Sequence, residues 1–154
     1  MSRPRTLGLL SRPRTLGLLL TGLSAVLVSH GALAYQISGV QVEPLAKSHT
    51  SWNGTPLPAY RTGQPEVTIL KYLIAPGAEL PPHLHPVINA GVMLKGELTV
   101  VSDTGERLHL KAGDTIIELV DQVHQGRNEG TEPVELIVFY AGNVGQPTRV
   151  LQDN

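Results

Sequence analysis

The chain has 154 residues, with 12 basic side chains against 13 acidic ones and no cysteine. That length fits one domain. Without cysteine, a thioether-linked lipid, a disulfide framework and a cysteine-based zinc site are all excluded.

At the start, Arg3, Arg5, Arg12 and Arg14 precede an apolar run over 16–28, and Ala32-Leu33-Ala34 follows it. Basic, apolar and small-residue segments in that order form a secretory signal, with cleavage expected after Ala34. The apolar run of about 13 residues is short of the ~20 that a spanning helix needs; an uncleaved anchor lengthened by flanking residues is the alternative. The arginines are never adjacent, which argues against the twin-arginine route. The expectation is a periplasmic or secreted protein with no membrane association after cleavage. Residues 2–10 (SRPRTLGLL) recur unchanged as 11–19. A period that occurs twice and stops is not a solenoid; it reads as a short in-frame duplication or a misassigned start. Removing 1–34 takes away four arginines and no acid, leaving 8 basic against 13 acidic residues and a formal charge of −5. Such a surface disfavours nucleic acid and anionic lipid as partners.

Residues 35–63 read as an irregular arm. The alternation of Ile37, Val40 and Val42 predicts a short strand over 36–42. Pro44, Asn53-Gly54, Pro56, Pro58 and Gly63 then break the chain repeatedly. Such an arm wraps the outside of a domain or supports a partner subunit, with Trp52 and Tyr60 covering the core. From 64 to 154 the pattern changes to short apolar runs between turns. Strands are predicted over 67–74, up to His83-Leu84-His85, and over 89–94, 97–101, 106–110, 115–120, 122–126 and 134–140. No window beyond 35 keeps a helical period over a dozen residues. Many short strands at this spacing signal a sandwich or closed barrel. The alternation of Leu98/Val100 and Leu108/Leu110 turns those residues inward and leaves Glu97, Thr99, Arg107, His109 and Lys111 outside. The class is all-β, with a barrel favoured.

Two segments carry the chemistry. The first runs Gly77, His83, His85, Asn89, Gly96; the second runs Gly113, His124, Asn128. Their spacing resembles the two motifs of the cupin superfamily, G-x5-H-x-H-x3-E-x6-G and G-x5-P-x-G-x2-H-x3-N, over Gly77 to Asn128. The resemblance implies a double-stranded β-helix (a jelly-roll-like barrel) holding a divalent metal through His83, His85 and His124, with Asn89 at the position of the family's carboxylate. It also departs from the motifs at Leu119, where the family has proline, and at Asp121, where it has glycine. His83 and His85, two apart on a strand, share a face about 6.6 Å apart. The chain must turn at Pro86-Val87-Ile88 to return Asn89 on the adjacent strand, and His124 closes the cluster across the barrel. Three imidazoles suit Fe, Zn, Mn, Ni or Cu. An amide in place of a carboxylate brings no charge, so affinity for hard ions should fall.

Met93, which shares parity with Asn89, and Tyr140, which shares parity with Val134, Leu136 and Val138, are expected to line the same cavity. Glu79, Glu118 and Asp121 are candidates for a base, and parity leaves the choice among them open. His49 and His109 read as solvated surface residues, and His30 falls in the signal. Two functions remain open: a metal-dependent enzyme on a small molecule, or a non-catalytic barrel binding a metal or small molecule. A homodimer through the outer sheet is also expected.

Overall fold

A computed structural model describes residues 39–152. The signal, the nine-residue duplication and the first part of the 36–42 strand lie outside the described residues. Among the described residues there is no helix, and so none long and apolar enough to cross a membrane.

Nine strands form two antiparallel sheets: β1 (Pro65–Ile74), β2 (His83–Leu84), β3 (Ile88–Lys95), β4 (Glu97–Ser102), β5 (Arg107–Lys111), β6 (Thr115–Ile117), β7 (His124–Arg127), β8 (Val134–Asn143) and β9 (Val150–Leu151). One sheet has the order β1-β8-β3-β6 and the other β5-β4-β7-β2-β9. Their facing sides enclose the core, in which Ile74, Leu98, Val100, Ile116, Val134, Leu136 and Val138 are all buried. Period-two alternation decides which side chains these are. In β8, Val134, Leu136, Val138 and Tyr140 point inward while Glu135 and Phe139 point out.

The one-residue connection between β3 and β4 is Gly96 itself. Its φ is +76°, and a Cβ there would stand 2.7 Å from the carbonyl oxygen of Pro133 and 3.0 Å from Cα of Val134. Both the positive φ and the close backbone demand glycine. Gly96→Ala is expected to cost about 2–4 kcal/mol. The reading is a lower urea midpoint at unchanged slope; a midpoint equal to wild type would contradict this account. Asp121 is the only non-glycine with positive φ among the described residues, at 55°. This is where the family motif has glycine, and aspartate is one of the few residues that tolerate the conformation.

Several expectations need correcting. Of residues 39–42, the described part of the 36–42 strand, only Val40 forms a bridge, and Val40 and Val42 are exposed. The strand expected over 115–120 stops at Ile117, where the chain turns inward and buries Leu119 completely. Thr99 is buried although it lies on the outward face, because Glu129 accepts its hydroxyl at 2.8 Å and His109 lies against it at 3.2 Å. Strand β9 was not anticipated, because it pairs only with two-residue β2. Trp52 does pack against the core, but Tyr60 is 82% exposed and covers nothing there.

The segment before β1 lies along β6, an edge of its sheet. Trp52 N–H donates to the carbonyl of Ile117 at 2.9 Å, and the Ser51 hydroxyl to the carbonyl of Glu118 at 2.7 Å. These bonds satisfy backbone groups that an open edge would leave for another chain.

Candidate metal centre

His83 opens β2 and His124 opens β7, and the two are direct partners in the antiparallel register. His85 follows β2 and bridges to Val120. His124 is therefore the immediate neighbour of His83 in one sheet, and does not reach it from across the barrel as the spacing had implied. The ring centroids form a near-equilateral triangle: 4.9 Å for His83–His85, 4.7 Å for His83–His124 and 5.0 Å for His85–His124. All three side chains are buried, and one ring nitrogen of each lies within 4.8 Å of the others.

The remaining ring nitrogens fix the tautomers. Nδ1 of His83 lies 2.8 Å from the carbonyl of Pro81, Nδ1 of His85 2.7 Å from that of Thr148, and Nδ1 of His124 2.9 Å from that of Gln122. A carbonyl oxygen can only accept, so each Nδ1 carries the hydrogen. Each neutral imidazole then has a bare lone pair on Nε2. Backbone-anchored Nδ1 with free Nε2 is the arrangement that orients metal-binding histidines. Burial, the largest influence on each, pushes all three below the ordinary imidazole value of 6.5, with His85 at about 3. They are consequently neutral and ready to ligate at pH 7. His124 Nε2 is buried with no hydrogen-bond partner. Such an orphan costs free energy unless something electron-poor meets it, and a divalent ion with Nε2 donors fits that need.

The cluster opens on a cavity of about 30 Å³, lined among others by Leu98, Val100, Leu136, Val138, Tyr140 and Glu118. That volume holds an ion with a water or two. Tyr140 is among the lining residues: its ring centroid lies 5.5 Å from that of His85, and its hydroxyl is 2.8 Å from that of Tyr72. Burial and the Tyr72 hydroxyl raise Tyr140 above the usual phenol range, so it keeps its proton. Met93 does not line this cavity. It is buried in the apolar core, four residues along β3 from Asn89 and about 13 Å away along the strand.

Asn89 is buried, its Nδ2 donates to the carbonyl of Val87 at 3.3 Å and its Oδ1 has no partner. The turn at Pro86-Val87 returns the chain in the opposite sheet, and not on a strand adjacent to β2. Asn89 is also absent from the residues lining the cavity. Of the three candidate bases, Glu79 is exposed and paired with Arg127 at 3.0 Å, and Asp121 is exposed and paired with Arg61 at 3.5 Å. Only Glu118 enters the cavity, its Oε2 3.4 Å from Nε2 of His124. Burial pushes its carboxyl up from 4.5 to about 7.

Two lining residues with polar side-chain groups escaped the sequence reading. Tyr72 shares the inward parity of Ile74 in β1, so alternation could have found it. Arg149 lies just before β9, in a tail whose pattern predicted no element. Among the described residues no carboxylate pairs with it. His109 lies outside, 3.3 Å from Glu97, and His49 is exposed.

Residues 70–140 match the family model of the Cupin domain. The barrel has the cupin fold. The DMSP lyase DddQ from Ruegeria pomeroyi DSS-3 is similar in structure, with a TM-score of 0.50 at 20% identity over 64% of this chain and 47% of that one. A double-stranded β-helix protein from Klebsiella pneumoniae subsp. pneumoniae MGH 78578 gives 0.49 at 25% identity, covering 62% of this chain and 85% of that one. An oxalate oxidase in complex with the substrate analogue glycolate gives 0.47 at 27% identity, covering 55% and 45%. This chain thus spans less than half the length of the lyase and the oxidase. No curated protein matches it.

Proposed function

We propose that this protein is an exported cupin barrel that binds one divalent transition metal through Nε2 of His83, His85 and His124, and acts on a small anionic molecule there. The observation that carries the metal reading is the anchoring of all three Nδ1 atoms on backbone carbonyls, which leaves three convergent lone pairs. Export rests on the basic, apolar and small-residue order of residues 1–34.

Three imidazoles leave coordination positions for water or substrate, and an ion held there supplies Lewis acidity to an oxygen of the bound molecule. The chain supplies the surroundings. Leu98, Val100, Leu136 and Val138 give the cavity apolar walls, which strengthen polar contacts within it. The Tyr140–Tyr72 hydroxyl pair holds a proton at the cavity wall. The Arg149 guanidinium, which lines the same cavity, favours an anionic group such as a carboxylate.

The small cavity volume supports a second reading, a barrel that holds the metal without turning over a substrate. A homodimer is part of the proposal. Val67, Ile69 and Leu73 on edge strand β1 are exposed next to Phe139 of β8, an apolar stripe on the outer sheet that a second copy would cover.

Elemental analysis of protein purified without chelator tests the metal reading. About one equivalent of transition metal is expected in the wild type and none in the His83→Ala/His85→Ala variant. A wild type that is empty and refuses added metal would sink it.

A further inference from the structure

Resting on that three-histidine reading, we propose that Glu118 is the fourth, anionic donor of the metal centre, replacing from the segment just past β6 the carboxylate that Asn89 lacks.

The register supports this placement. β3 and β6 pair as Gly91↔Ile116 and Ala90↔Ile117, so one step further sets Asn89 opposite Glu118. Glu118 N–H donates to the carbonyl of Asn89 at 3.2 Å, which continues the ladder past the end of β6. Residues facing each other across antiparallel strands project to the same side. A carboxylate at 118 therefore enters the barrel beside the point where one at 89 would. From the other side, the Ser51 hydroxyl holds the Glu118 carbonyl at 2.7 Å, so the backbone is pinned at both polar groups.

The two facing atoms need a proton or a metal ion between them. Nε2 of His124 is the bare nitrogen of its ring, because Nδ1 gives its hydrogen to Gln122. Oε2 of Glu118 lies 3.4 Å away. Both atoms are buried and neither has a hydrogen-bond partner. Two lone pairs facing each other in a dry interior repel unless a proton or a metal ion joins them, and a bound metal would take the proton's place. Two donors bound at ~2.1 Å to one tetrahedral ion lie about 3.4 Å apart, which is the separation observed. Among the described residues no Lys or Arg pairs with Glu118. Asn89 Oδ1 is likewise buried without a partner, but Asn89 does not line the cavity and its amide donates to the carbonyl of Val87.

The test uses the full mature protein, stripped by chelator and titrated separately with Mn²⁺ and Zn²⁺ against a chromophoric competitor. The variants are Glu118→Gln, which keeps the shape and removes the charge, and Asn89→Ala. Carboxylate matters more to manganese than to zinc. Glu118→Gln should weaken Mn²⁺ binding at least ~10-fold and Zn²⁺ less, while Asn89→Ala changes neither. Undiminished Mn²⁺ binding in Glu118→Gln, or loss in Asn89→Ala instead, overturns the Glu118 assignment and leaves the histidine site standing. A wild type that takes up neither ion overturns both. If Glu118→Gln does not fold, difference infrared spectra of the wild type decide. Conversion of one carboxyl to metal-bound carboxylate on Zn²⁺ addition is expected, and an unchanged carboxyl region refutes it.

Discussion

Chelator-treated wild-type protein should melt at a markedly higher temperature when a transition metal is restored, and His124→Ala should abolish the rise. A ligand that binds only the folded state stabilises it by RT ln(1 + [L]/Kd), about 4 kcal/mol at free metal 1,000-fold above Kd. For a barrel of this size that is on the order of 10–15 °C. The three histidines come together only in the fold: His83 and His124 are register partners, while 41 positions separate them in the chain. The unfolded chain therefore offers no comparable site, and binding free energy becomes folding free energy. His124→Ala removes a donor and leaves Glu118 facing an empty wall. Its loss in affinity should exceed the ~10–100-fold that removal of an outer partner costs. The comparison is made within each variant, with and without metal, so any packing defect of the substitution cancels. Identical wild-type melting in both conditions would refute the metal site.

Metal-free protein should lose stability as pH falls below neutral. Burial lowers His83, His85 and His124 beneath 6.5, His85 to about 3. Between those values the unfolded chain binds protons that the folded chain does not, so acid favours unfolding. Stability from these groups is complete above pH 6.5 and drains away as pH falls towards 3. His85 alone accounts for on the order of 4–5 kcal/mol by the end of that window. Glu118 has the opposite sign. Its folded value is raised from 4.5 to about 7, so its contribution is whole below 4.5 and is lost as pH rises towards 7. His85 and Glu118 roughly offset each other between 4.5 and 6.5, and the lowered His83 and His124 tip the net slope towards greater stability at higher pH. Chemical denaturation of the stripped protein at pH 7, 6 and 5 measures it. A flat or inverted profile would mean that the histidines are not buried as neutral groups.

Much of this was legible before the structure. Alternation in 67–74, 89–94, 97–101 and 134–140 placed four strands within two or three residues of their observed ends, because a two-faced sheet buries every second side chain. Turn glycines at Gly77, Gly96 and Gly113 marked their corners, and all three have positive φ. The histidine pair at 83 and 85, together with His124, was readable from spacing, since motif spacing encodes strand and turn lengths. Polar residues at inward positions needed a reason, and a metal was the economical one.

Sequence by itself thus determined the all-β class, the barrel and the three imidazoles. Tertiary structure decided what surrounds them. Asn89 entered the opposite sheet, His124 became the neighbour of His83, Met93 went to the core, and Glu118 and Arg149 joined the cavity. Each outcome depends on how strands far apart in the chain pair and which sheet each one joins. Periodicity says which way a side chain faces relative to its own strand; it is silent on which other strand that face will meet. Glu118 shows the distinction best, since it lies just past the end of β6, where parity stops, and only pairing with Asn89 aims it at His124.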